Sequence, residues 1–276
     1  MKNLLLIASL LTHSCLAQQV AVTLDDLPFG YSAGMSDSMK IASAKKILTI
    51  LEEFDIKATG FVTSSNMSEE NQVILDMWLK EGHDLGNHTH RHYNFNEVTA
   101  AKYIADIDSC KLLAGEWINT DYFRYSMLRR GNTKAKRDSV YAFLETEDYI
   151  IAPVSIDNNE WIYNRDYSRA LRNNDEEKII KIGNEYIEHM KEVSLKYEKM
   201  GVELTGRSVR HILLLHANPI NAKYLHTLLG WYKSEGWEFI TLQEAMEDPI
   251  YATNGDLVSD YGWSQIDKLQ KIQSTD

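Results

Sequence analysis

The chain has 276 residues and few means of cross-linking: only two cysteines, Cys15 and Cys110, with four prolines and no low-complexity stretch. Scarce proline and ordinary composition argue against long disordered linkers. Uninterrupted apolar runs stay short, so no segment reads as a transmembrane helix. No Gly-rich turn of the dinucleotide-binding kind follows the first strand-like run. Positive charge is also short, since 29 Lys and Arg face 40 Asp and Glu for a net charge of -11. An acidic surface disfavours nucleic acid and anionic membrane as partners, whereas a neutral polymer would not be repelled.

What is present begins with an export signal. Lys2, the apolar run Leu4 to Leu11 and the small-x-small pattern Cys15-Leu16-Ala17 read as a signal peptide over residues 1–17. The mature protein is therefore expected in the periplasm or secreted. Cleavage removes one Lys and no acid, moving the net charge from -11 to -12. It also removes Cys15, so Cys110 is left alone and no intrachain disulfide can form. Stability must come from the core, for which 44% hydrophobic residues suffice.

Strand-like and helix-like runs alternate along the rest. Val20 to Asp25, Ile56 to Thr63, His83 to Thr89, Tyr122 to Ser126, Tyr149 to Asp157, His211 to His216 and Glu238 to Leu242 read as strands. Apolar residues at helical spacing fill the gaps, as in Ile41, Ala44, Ile47, Leu48, Leu51 and Phe54, with Ser68 a candidate cap for the second helix. The stretch from about Ser168 to Met200 reads as one long solvated helix, after a loop following Tyr163. Alternating β and α implies a parallel sheet in one α/β domain, either curled into a barrel or open.

Ionisable residues gather at the ends of these strands. Asp25 and Asp26 end the first, His88, His90 and His92 follow the third, and Arg124 ends the fourth. Asp157 and Glu160 follow the fifth, and His216 ends Ile212-Leu213-Leu214-Leu215. Parallel strands face their carboxyl ends one way, so these residues converge on one cleft. Strand alternation predicts that Asp25 and Asp26 point in different directions. His88 and His92, at i and i+4, share a face if their segment is helical, leaving His90 to point away. Two imidazoles and a carboxylate with open positions suit a zinc hydrolase, although non-haem iron oxygenases use the same set. The β/α alternation favours hydrolysis, because those oxygenases are mostly all-β. Asn94, Asn218 and Asn221 read as loop and cap residues.

Thr23-Leu24-Asp25-Asp26, His88-Thr89-His90-Arg91-His92 after Gly86-Asn87, and Leu214-Leu215-His216 together resemble the polysaccharide deacetylase family, carbohydrate esterase family four. The resemblance runs from about Val20 to Leu242. It implies a distorted, incomplete (β/α) barrel with a mainly parallel sheet, residues 18–276 being the catalytic domain. It further implies Asp25 as general base, His216 as general acid, and Asp26, His88 and His92 as ligands to one divalent ion. Zinc is the first choice of metal, with cobalt, manganese or nickel as alternatives. Arg124 orients the base, Asp157 and Glu160 stand on the acid side, and Trp161 and Tyr125 meet the substrate, an N-acetylated glycan. Two positions depart from the family pattern. Ser126-Met127 replaces the usual Pro and Tyr after the Arg, weakening the case for a backbone oxyanion donor. Glu160 replaces an Asp. The competing readings are an O-acetyl ester or non-sugar amide hydrolase, and a non-catalytic carbohydrate-binding relic.

Overall fold

The computed structural model describes residues 17–252 and 257–274; apart from Ala17, the expected signal peptide lies outside the described residues. The strands are β1 (Gln19–Leu27), β2 (Thr59–Val62), β3 (Asp84–Asn87), β4 (Tyr122–Phe123), β5 (Ile150–Ile151), β6 (Arg210–His216) and β7 (Glu238–Ile240). The helices are α1 (Asp37–Glu53), α2 (Val73–Lys80), α3 (Ala100–Ala114), α4 (Lys134–Thr146), α5 (Glu160–Arg172), α6 (Glu176–Thr205), α7 (Pro219–Ser234), α8 (Leu242–Met246) and α9 (Gln265–Gln273).

Every strand pairing is parallel, in the order β5-β4-β3-β2-β1-β6. β1 is central. Its first residues, Gln19 to Ala21, take β7 on the edge whose later residues take β2, and β6 lies along the other edge. Helices cover a sheet of this kind on its outer face while side chains fill the inner one, so β1 is buried on both sides from Val20 to Asp25. The sheet curls until the segment after β5 reaches the free edge of β6. There Ile156 bridges Leu213, and the Ile156 N–H and the Leu214 N–H donate to Ile212 and Ile156 carbonyls. The fold is thus the α/β, distorted and incomplete barrel expected from the sequence.

Two elements differ from the sequence reading. The long charged stretch is two helices, and the break falls at Asn173 to Asp175 instead of after Tyr163. Asn174 is left-handed (φ 50°), and the Asp175 side chain then caps α6 by accepting from the Lys178 N–H. Nor is α6 merely a solvated wall. Tyr186, Ile187, Met190 and Tyr197 are buried in the main core, and Glu198 bonds His211 of β6 at 2.9 Å. Ser68 caps a turn (Asn71 N–H to Oγ, 3.1 Å) just before α2, whose own cap position is Gln72.

Candidate active site

The site starts at the end of β1. Asp25 lies beside His216 in the β1–β6 register, so candidate base and acid occupy neighbouring strands. Asp26 has φ 66°, and the β1–β2 register slips between Leu24 and Leu27. This irregularity corrects the alternation argument: once the strand bulges, consecutive side chains need not oppose each other, and both carboxylates line the cleft. Thr63 donates to Asp26 Oδ1 at 3.4 Å, and Asn66 donates to the Asp26 carbonyl at 3.1 Å.

The histidines come from the turn after β3. The i, i+4 helical pairing is not what joins them, because Thr89 (φ 69°) and His92 (φ 51°) are left-handed and the segment is not a helix. Side chains enforce the turn instead. Asn87 Oδ1 accepts from the Thr89 N–H (2.8 Å), and Thr89 Oγ1 accepts from the His92 N–H (3.1 Å). His90 turns the other way and pairs with Ser64 Oγ at 2.9 Å.

Asp26, His88 and His92 each offer one ligand atom, all within 4.8 Å of one another. The Asp26 Oδ1 atom is 4.0 Å from His88 Nε2 and 3.7 Å from His92 Nε2. An ion about 2 Å from each ligand needs separations of roughly 3–4 Å, so these residues fit a metal. Protonation supports the fit. Burial pushes His88 down to about 4, against the pull of Asp25, so the imidazole is neutral near pH 7. Its Nδ1 lies 2.8 Å from the Arg124 carbonyl, which can only accept, so the proton sits on Nδ1. Nε2 therefore turns a lone pair toward Asp25 Oδ2 (3.5 Å) and Asp26 Oδ1. Acceptors facing acceptors across a buried gap repel until a cation enters.

Arg124 is fully buried where the barrel is incomplete. One guanidinium nitrogen donates to Thr23 Oγ1 (2.7 Å) and Asp25 Oδ1 (3.0 Å), while the others reach the Ala152 and Pro153 carbonyls at 3.2 and 3.3 Å. Its side chain thus links the segment after β5 to β1, and it fixes the Asp25 carboxylate.

On the far side, His216 Nδ1 bonds Glu160 Oε2 at 2.8 Å. Asn218 and Asn221 both donate to Glu160 Oε1 at 2.6 Å, and Tyr186 donates to Asn221 Oδ1 at 2.6 Å. Asn218 is also the cap of α7, as expected, accepting from the Asn221 N–H. Its second duty, with Asn221, escaped the sequence reading because a cap residue gives no sign of where its amide group points. Burial opposes the imidazolium, but the Glu160 charge and hydrogen bond, helped by Asp26 and Asp25, lift His216 to about 10. Asp26 itself sits below the usual carboxylate range, where His92 and His216 outweigh its burial. Asp157 lines the cleft and is raised by burial, yet makes no hydrogen bond to His216. Glu160 takes that place.

The cleft has a volume of about 740 Å³. Trp161 stands in its wall, 52% exposed. Tyr125 does not reach it. That ring is buried with Phe95, Tyr103 and Phe123 in a second apolar cluster, which removes it from the substrate surface. Met127 lines the cleft instead. The Ser126 N–H is taken by Tyr103 Oη, whereas the Met127 N–H has no acceptor among the described residues. Met127 and Leu128 are both left-handed (φ 55°).

The fold and this grouping define a (β/α)-barrel protein with a metal-compatible cleft at the carboxyl ends of its strands. In sequence, residues 16–142 match the model of the polysaccharide deacetylase family. YheN of Bacillus subtilis (strain 168) is 25% identical over 211 residues, 74% of this chain and 64% of that protein, so the chain spans less than two thirds of this relative. The chitin deacetylase of the fungal pathogen Colletotrichum lindemuthianum shares the fold with a TM-score of 0.57 at 18% identity, over 89% of this chain and 95% of that one. BA3943 of Bacillus anthracis, described as a pseudoenzyme of carbohydrate esterase family four, superposes with a TM-score of 0.55 at 15% identity, over 84% of this chain and 66% of that one. No helix among the described residues is long and apolar enough to cross a membrane.

Proposed function

We propose that the chain is an exported, metal-dependent hydrolase that removes N-acetyl groups from a polysaccharide or oligosaccharide, with residues 18–276 as its catalytic domain. The observation that carries the reading is the convergence, in one cleft, of three metal-compatible side chains between two partnered groups: Asp25 bound to Arg124, and His216 bound to Glu160.

Asp26, His88 and His92 would hold a divalent ion, with zinc the first choice and cobalt, manganese or nickel as alternatives. Such an ion lowers the pKa of a water and polarises the acetyl carbonyl. Asp25, kept in place by Arg124, takes the attacking water's proton at the oxygen facing the cleft. The Met127 N–H supplies the oxyanion donor that the missing family Tyr left in question, and one such donor is worth about 10²–10³ in rate. His216, an imidazolium at neutral pH, hands its Nε2 proton to the leaving nitrogen while Nδ1 stays bound to Glu160. The Glu160 carboxylate keeps His216 an imidazolium, while Arg124 orients the Asp25 carboxylate through its hydrogen bond. Trp161 offers a flat face to a sugar ring, and Asp157 lines the same groove without a fixed partner in the acid relay.

Acetate release from matched N-acetylated and O-acetylated glycans, with and without chelator, tests the reading. N-acetyl substrates should release acetate, chelator should stop the reaction, and Asp25→Asn should lower kcat by about 10²–10⁴. A rate indifferent to both chelator and Asp25→Asn defeats the mechanism. Sugar binding without turnover under every added metal leaves the non-catalytic relic in its place.

A further inference from the structure

The chain as a whole is acidic, at -11, yet its cleft gathers three arginines, Arg129, Arg165 and Arg169. Two come from α5, where Trp161, Arg165 and Arg169 recur every four residues and so share one helix face. Arg165 lies 6.0 Å from the Trp161 ring centroid. Both α5 guanidiniums turn to a single carboxylate, Asp166, which does not itself line the cleft: Arg165 donates to it through Nε and Nη2 at 2.9 and 3.2 Å, leaving Nη1 free of it, and Arg169 through Nη1 at 3.4 Å. Two positive charges therefore share one negative one. Arg129 comes from the loop after β4, is half-buried, and its guanidinium has no hydrogen-bond or ion-pair partner among the described residues. The acids of the cleft do not answer this surplus. Asp25 is bound to Arg124, Asp26 belongs to the metal-compatible group, and only Asp157 remains.

A neutral glycan does not require full positive charges, since its hydroxyl and amide groups can be met by Asn, Gln or backbone. An arginine fork matches the oxygens of a carboxylate or a sulfate. From these positions we infer that the substrate carries a negatively charged group beside its acetamide, read by Arg165, Arg169 and Arg129, with a carboxylate as the favoured form. The reach is suitable: a sugar stacked on Trp161 would extend a ring substituent about one helical turn, roughly 5.4 Å, to Arg165. This inference rests on the deacetylase reading, but its test can fail separately.

Three oligomers of N-acetylglucosamine serve as probes: unmodified, oxidised to carboxylates at C6, and sulfated at O6. Kinetics of acetate release is measured with the metal-loaded protein, and binding of each oligomer by titration calorimetry. The expected result is a kcat/KM and an affinity about 10-fold or more higher for the carboxylated oligomer, carried by KM and shrinking in high salt as exposed charges are screened. Arg165→Gln with Arg169→Gln, and separately Arg129→Gln, should bring the ratio of carboxylated to unmodified toward one. Sulfate outranking carboxylate assigns the same arginines to a sulfated substrate and overturns the carboxylate choice. Equal affinities and rates for charged and neutral oligomers, or a preference that survives in both variants, overturn the inference. If no oligomer releases acetate, the deacetylase reading fails, and the calorimetric ratio still decides whether the cleft selects anions.

Discussion

Glu160 shows how one added methylene is absorbed at the scale of a residue. Its carboxylate is fully buried, and three donors converge on it: His216 Nδ1, Asn218 and Asn221. The longer side chain lets α5 rather than β5's end supply the partner of His216, and Asp157 is released from that role. The consequence is a pH profile. With His216 near 10, its imidazolium is retained across the neutral range, and activity should fall only as pH rises through about 10. Glu160→Gln removes the largest supporting charge, so this alkaline limb should move down by about a unit or more. An unmoved limb would mean that His216 is not the proton donor. The sign for stability is the same: a raised His value contributes fully below the ordinary 6.5 and is lost as pH climbs through 10. Arg124 presents a related case, being 0% exposed and bound to a 4% exposed Asp25. Arg124→Met leaves that carboxylate without its partner and should destabilise by about 3–5 kcal/mol, measured by urea unfolding.

Among the elements, the loop after β4 brings Met127, Leu128 and Arg129 to the cleft, and it is held from outside. Ser126 to Leu128 carries two left-handed residues that are not glycine, a conformation that persists only when surroundings impose it. The segment before α9 imposes it here. A Cβ added at Gly262 would lie 2.0 Å from the Met127 carbonyl oxygen and 3.2 Å from Leu128 Cβ, so only glycine lets the two backbones touch. Asn132 and Asn96 tie the same segment down through Asp260 and the Ser259 carbonyl. Gly262→Ala should therefore push the Met127 N–H out of line and lower kcat by about 10-fold or more, with KM and melting temperature much less affected. A variant with wild-type kcat would show that this amide plays no part in the reaction.

For the whole molecule, the metal-compatible group ties together strands that are not neighbours, since β2 lies between β1, which carries Asp26, and β3, which leads to His88 and His92. An ion gripped there binds the folded chain only. At about 100 times its dissociation constant it stabilises by roughly 2.7 kcal/mol, which for a chain of this size raises the melting temperature by about 5 °C or more. Thermal denaturation with zinc against chelator should show the shift, and Asp26→Asn should abolish it. Identical melting curves would count against a bound ion.

The element order, the parallel sheet and the strand-end placement of Asp25, Asp26, His88, His92, Arg124 and His216 could all be read from apolar runs and their polar punctuation. Those features are written in local periodicity, which a chain carries in its own order of residues. The break at Asn173 to Asp175, the bulge at Asp26 and the left-handed turn at Thr89 were not legible. Each depends on hydrogen bonds or packing from elsewhere that outweigh local preference. Tyr125 illustrates the limit: next to Arg124 it looked like a substrate contact, but the second apolar cluster offered its ring more burial than the cleft did. The amino-acid order thus determined which chemical groups are available and roughly which sheet edge they occupy. Tertiary structure alone decided which oxygen faces which nitrogen, because partners such as Glu160 and Asn221, 61 residues apart, meet only once the barrel has curled.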